Sequence, residues 1–235
     1  MDTAAKVGIG VALTVGAVAG IAALANSRKT LGRATGTKAR GRLQPLSESA
    51  DASGRNVRVF RGGKLPIKER LGILQDLVAK GVSGKDLPQL RALALRITKG
   101  CPARDDTCEA KAIYDWVRKN IRYTGDIAVH KVNGRKGPTE SVDLFQTAQR
   151  TVEMGGGDCD DHFVLVATLA ILNGIQAKMR VTSPYLWGKD NFTHIYPVLG
   201  LPKNDPRRWI AADTTLSGDR FGVEVPYQKK IDLMA

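Results

Sequence analysis

The 235-residue chain is short of the residue types that most often build a reactive site, with three cysteines and three histidines. Three cysteines cannot form a disulfide framework. Cys101 and Cys108, close together in CPARDDTC, leave two readings open: one local bridge, or two unpaired thiols near a helix start. Without a second cysteine pair or a nearby histidine they make a poor zinc site. Aromatic residues are only 6% of the chain, and no internal repeat is visible. Acidic residues are scarce where basic ones cluster. Residues 28–64 hold ten Lys or Arg against Glu48 and Asp51, which accounts for eight of the chain's thirteen net positive charges. The excess therefore describes partners of a tail more than the folded body.

What is present suits one sizeable domain with extensions: 43% hydrophobic and 25% charged residues, a globular composition. Residues 7–25, VGIGVALTVGAVAGIAALA, form an uncharged run between Lys6 and Arg28–Lys29. The run is long enough to span a bilayer, which takes about 20 residues. The basic block behind it would hold the body on the cytoplasmic side. An export signal is disfavoured because MDTAAK carries no net positive charge. Gly8, Gly10, Gly16 and Gly20 also suit close helix–helix contact. The expectation is a retained hydrophobic helix, bound to a membrane or docked in an assembly. Residues 26–64 lack apolar periodicity and read as a linker or arm. Their charge suits an anionic surface: lipid, acidic protein or nucleic acid. Phe60 is the one aromatic among them, so no stacking pattern favours nucleic acid.

From residue 65 the periodicity changes. IKERLGILQDLVAKG puts Ile67, Leu71, Ile73, Leu74, Leu77 and Val78 on one helical face, with Gly81 as its stop. DLPQLRALALRITKG reads as a second helix with proline in its first turn. DDTCEAKAIYDWVRKNIRY reads as a third, with capping-box spacing between Asp106 and Glu109. Asn133–Gly134 suggests a hairpin turn, and residues 140–153 a short helix. Phe163 to Leu172 reads as a buried helix closed by Asn173–Gly174. IQAKMRVTS, FTHIYPVLG and RRWIAADTT read as strands. Helices first and strands later indicate an α+β fold with a mostly antiparallel C-terminal sheet.

The chemistry concentrates in GGGDCDDH, residues 155–162. A thiol attacks as thiolate, and a reference pKa of roughly 8.5 leaves little of it at neutral pH. GGGDC before an apolar helical run puts Cys159 at a helix N-terminus, where the dipole favours negative charge by about 0.3–2 kcal/mol. Asp158 suits the cap but opposes the thiolate, so an imidazolium partner is required. Three histidines qualify. His130 lies in the hairpin region and His162 one turn beyond the cysteine. His194 lies in an alternating strand and is followed by Asp213, an acid ending an otherwise apolar strand. That carboxylate can hold the second ring nitrogen of His194. The acids Asp158, Asp160 and Asp161 with His162 also permit a cation, but adjacent helical positions point apart and an acidic first turn is expected in any case.

These elements in this order resemble the core of the transglutaminase-like superfamily of papain-type cysteine enzymes. The resemblance runs through GGGDCDDHFVLVATLAILNGIQAKMRV, FTHIYPVL and RRWIAADTT, with AIYDWVRKNIRYTGD similar to the helix before the cysteine; it covers about residues 106–216. It implies Cys159 as nucleophile, His194 as general base and acid, and Asp213 as the orienting residue. It also implies the Cys159 amide in an oxyanion hole, with Gln146 and Gln149 as candidates for a side-chain donor. The resulting expectation has four parts: a hydrophobic helix at 1–25, a basic arm at 26–64, a helical extension at 65–105 and a catalytic domain at 106–235. The expected activity is thiol-dependent acyl transfer on a peptide or protein amide, without metal or cofactor. A cysteine peptidase or amidase, with cell-wall peptide a fitting substrate, is the leading form. The alternative is a structural component of a phage-like virion or other assembly that keeps the fold with little activity.

Overall fold

Buried faces of four helices surround a fifth helix that is apolar on nearly every side. The computed structural model describes residues 48–50, 56–60, 66–124, 143–187 and 191–235, with the first two stretches and Asp143 as backbone only. The described residues belong to one unit, Leu43–Ala235. The run 7–25, most of the basic stretch, His130 and the Asn133–Gly134 turn lie outside them. No helix among the described residues is long and apolar enough to cross a membrane.

Helix α1, Ile67–Ser83, buries Leu71, Leu74, Leu77 and Val78. Gly81 does not end it. A Cβ there would stand 2.7 Å from Thr168 Cγ2, so the glycine is a point of close helix approach, and the helix closes with the Gly84 amide donating to the Lys80 carbonyl. Helix α2, Leu87–Thr98, accepts Pro88 in its first turn and buries Leu90, Leu93 and Ala94. A disulfide between Cys101 and Cys108 ties its exit to the first turn of α3, Asp106–Asn120. Asp105, one residue earlier than the spacing indicated, caps α3 by accepting from the Cys108 amide at 2.8 Å. Asp106 and Glu109 are turned instead to Lys203, whose backbone amide donates to Asp106 at 2.9 Å and whose ammonium meets Glu109.

Short strands then set up the site. Strand β4, Asp143–Gln146, lies within the stretch read as helical and pairs antiparallel with β2, Asn56–Phe60, which pairs in turn with β1, Glu48–Ala50. The end of the basic stretch thus supplies two strands. Helix α4, Ala148–Met154, is capped by Thr147 and followed by β5, Gly156–Gly157, which pairs in parallel with β3, Arg122–Tyr123. Helix α5, Cys159–Leu172, comes next, and every residue from Asp160 to Ala170 is buried. A helix apolar all round needs partners on all sides. It touches α1 to α4 and also β6, Gln176–Ser183, and β7, His194–Leu201. These two strands continue into a four-stranded antiparallel sheet, ordered β8–β7–β6–β9, with β8 at Arg208–Ala211 and β9 at Lys229–Met234. The α+β class and the antiparallel C-terminal sheet are as the sequence indicated. Arg180 on β6 fastens β9 through paired 2.7 Å hydrogen bonds to Asp232 and also meets Glu224.

Candidate active site

Cys159 is the first residue of α5, and the acids around it hold that helix end. The Asp158 side chain accepts from the amides of Asp160 at 3.0 Å and Asp161 at 3.2 Å. Asp161 returns to the Asp158 amide at 3.3 Å, which completes a capping box. The same Asp161 carboxylate accepts from the Gln146 backbone at 2.8 Å and from Gln146 Nε2 at 2.6 Å. Gln146 Nε2 also reaches the Gly156 carbonyl. Its amide is therefore engaged behind the helix end, and Gln149 bonds to Glu153 at the surface; neither lines the cavity that holds the sulfur. Gly157 leaves room for Asp161, since a Cβ there would lie 2.5 Å from the aspartate's own Cβ.

His194 opens β7 and Asp213 follows β8, two strands that are paired from Val198–Ala211 to Leu201–Arg208. That pairing carries the two side chains together. His194 Nε2 stands 2.6 Å from Asp213 Oδ2, and Asp213 is fully buried. Its other oxygen, Oδ1, accepts from the Thr215 amide at 3.0 Å and the Thr215 hydroxyl at 2.7 Å. Burial pushes the Asp213 carboxyl up, but the bonds from His194 and Thr215 outweigh it and hold the group below its ordinary value. With Nε2 turned to Asp213, Nδ1 is the His194 nitrogen left for other work.

Cys159 and His194 line one cavity of about 300 Å³, walled also by Ile67, Arg70, Asp160 and Phe192. Burial first, and then the Asp160 and Asp158 carboxylates, push the thiol well above its ordinary value, while the Ile195 backbone amide and Arg70 pull the other way. Phe192 and Thr193 also border a second, open concavity of about 640 Å³ with Tyr185, Leu186 and Trp187, all three largely exposed. Arg70, Phe192 and Thr193 escaped the reading of the sequence. Arg70 left a signal, a cation three residues from Ile67 and four from Leu74 within the apolar stripe of α1.

His162 is not part of that cavity. It is buried, its Nδ1 lies 2.8 Å from Thr214 Oγ1, and Tyr123 meets it edge-on with ring centres 6.2 Å apart. Burial pushes its pKa down to about 4. Asp158, Asp160 and Asp161 face different partners. Among the described residues no group of three or more His, Cys, Asp or Glu converges as metal ligands would.

Against this geometry, the sequence pattern of the transglutaminase-like superfamily matches residues 91–214, more than half the chain. The chain belongs to the transglutaminase-like superfamily. The match begins within α2, ahead of residue 106, and takes in Cys159, His194 and Asp213. Two solved structures are similar at a lower level. One, a candidate cysteine protease from Cytophaga hutchinsonii, is 16% identical with a TM-score of 0.37, covering 68% of this chain and 49% of its own. The other, a candidate protease from Parabacteroides distasonis, is 10% identical with a TM-score of 0.42, covering 67% of this chain and 31% of its own. The chain thus spans less than half the length of either. No curated protein matches it.

Proposed function

We propose that this superfamily member is a cysteine peptidase or amidase in which Cys159, His194 and Asp213 form a catalytic triad. The observation that carries the reading is the His194–Asp213 pair, at 2.6 Å with its carboxylate buried, beside the cavity that His194 lines together with Cys159 at a helix N-terminus. Asp213 keeps the Nε2 proton and orients the ring, so Nδ1 of His194 takes the thiol proton. The sulfur attacks the amide carbonyl carbon, a C–S bond forms, and the oxyanion is met by the Cys159 backbone amide, which the Asp158 side chain does not cap. His194 returns the proton to the nitrogen, the C–N bond breaks and the amine leaves. Water, deprotonated by His194, then opens the thioester and restores the thiol. Neither metal nor cofactor enters these steps.

The open concavity with Tyr185, Leu186 and Trp187 gives an extended acyl donor apolar surface beside the cavity. Cell-wall peptide as that donor is part of the same proposal. So is attachment to a membrane or virion-like assembly through residues 1–25, and to an anionic surface through residues 26–64; both rest on composition. The test is alkylation of Cys159 by iodoacetamide at pH 7. Labelling several times faster than a free model thiol, lost in His194→Ala, is the expected result. Labelling no faster than the model thiol in either protein would sink the enzyme reading and favour a structural role.

A further inference from the structure

Asp160 stands between the thiol and a cation. Its Oδ1 lies 4.0 Å from Cys159 Sγ, within reach of a weak S–H hydrogen bond, and its Oδ2 lies 3.6 Å from Arg70 Nη1. The carboxylate is 3% exposed, so little water screens it. Arg70 comes from α1, upstream of the family match at 91–214, and its guanidinium also lies 5.6 Å from the centre of the Phe145 ring. All three side chains, Arg70, Asp160 and Cys159, wall the same cavity. Among the described residues, the charged and titratable groups that face the sulfur are Arg70 from α1, Asp158 at the cap of α5, Asp160 in its first turn, and His194 from β7. Two carboxylates beside a nucleophilic thiol oppose its ionisation, and one of them also competes with His194 as acceptor for its proton. Something must offset that charge.

We propose that Arg70 is a positioning residue for the Cys159 reaction, holding the Asp160 carboxylate and offsetting its charge so that His194 can take the thiol proton. The inference rests on the triad reading above. It assigns to α1, an element outside the matched family core, a part in tuning the nucleophile. Asp160 keeps a use of its own, since an acid in the first turn suits the dipole of α5 and its Oδ1 orients the resting thiol.

The test is the pH profile of Cys159 alkylation in the full chain, with neutral iodoacetamide and anionic iodoacetate run side by side. Arg70→Ala should move the iodoacetamide midpoint up by about one pH unit. Its rate at pH 7 should fall by only about threefold, because a tenfold loss of thiolate is partly offset by greater nucleophilicity. Arg70→Lys should recover part of the midpoint. Asp160→Asn should move it down, and Arg70→Ala should move the midpoint by less in the Asp160→Asn background than in wild type. If Arg70→Ala does not fold, Asp160→Asn carries the test, and an unmoved midpoint in that variant overturns the proposal. An Arg70→Ala profile that superimposes on wild type, while His194→Ala is slow, overturns it alone. So does a loss confined to iodoacetate, which would make Arg70 a site for substrate charge. Equal labelling of wild type and His194→Ala overturns the triad reading and this inference with it.

Discussion

His194 Nε2 and Asp213 Oδ2 lie 2.6 Å apart, although 19 residues separate them in sequence. The antiparallel pairing of β7 with β8 brings them together, and Thr215 fixes the second oxygen of the carboxylate. One oxygen is thus spent on its own turn and one on the imidazole. An aspartate held in this way can fix a tautomer without becoming protonated itself.

Asp213→Asn should separate orientation from charge. The amide can still bond to Thr215, but it no longer favours an imidazolium on His194. Release of nitrophenol from p-nitrophenyl acetate should show a burst in the wild type. Its rate in Asp213→Asn should fall by about 100-fold or more. A fall of less than threefold would show that Asp213 does not orient the histidine.

One buried carboxylate, that of Asp161, accepts from the Gln146 backbone, from Gln146 Nε2 and from the Asp158 amide. Asp161→Ala leaves buried donors on Gln146 unpaired and should cost about 3 kcal/mol. Asp158→Ala removes the cap alone and should cost about 1 kcal/mol. Urea denaturation midpoints measure both. Equal losses would mean that the link to Gln146 contributes nothing beyond the cap.

Strands β6, β7 and β8, the long helices and the place of Cys159 at a helix start were legible because apolar periodicity and an Asx residue ahead of a helix are local signals. The α3 cap lies one residue before the position its spacing indicates, because Asp105 and Asp106 are adjacent and only the folded chain offers Lys203 to the second of them. Strand β4 lies where the local pattern indicates a helix: it is four residues long, and its partner β2 lies far upstream. Gly81 looked like a stop because the contact that requires it, Thr168, is on another helix. Asp160 and Asp161 had no evident use in the sequence for the same reason, since Arg70 and Gln146 reach them only after folding.

Gly81→Ala tests that helix contact, with two effects opposed. Alanine should favour an exposed helix by about 1 kcal/mol. Here its Cβ would meet Thr168 Cγ2 at 2.7 Å, and overpacking costs about 1–3 kcal/mol, so the variant should be less stable by about 1–2 kcal/mol. Thr168 carries a buried hydroxyl without a hydrogen-bond partner among the described residues, so Thr168→Ala should lose little by removing it. In the double variant the space is open, and Gly81→Ala should then stabilise. Additive losses in thermal melting would exclude the contact as the cause.

His162 makes stability depend on pH in a window that follows from its burial. Its folded pKa is down to about 4, against roughly 6.5 for an unfolded histidine. Between those values the unfolded chain binds the extra proton, so lowering the pH favours unfolding. The loss from pH 7 to pH 5 should be about 2 kcal/mol from this one side chain. It is fully expressed below pH 4 and absent well above 6.5. His162→Asn keeps a polar atom near Thr214 Oγ1 without a group that titrates there. Its stability, measured by urea denaturation at each pH, should fall less steeply across the window by that amount. Parallel curves for the two proteins would mean that burial does not depress the His162 pKa.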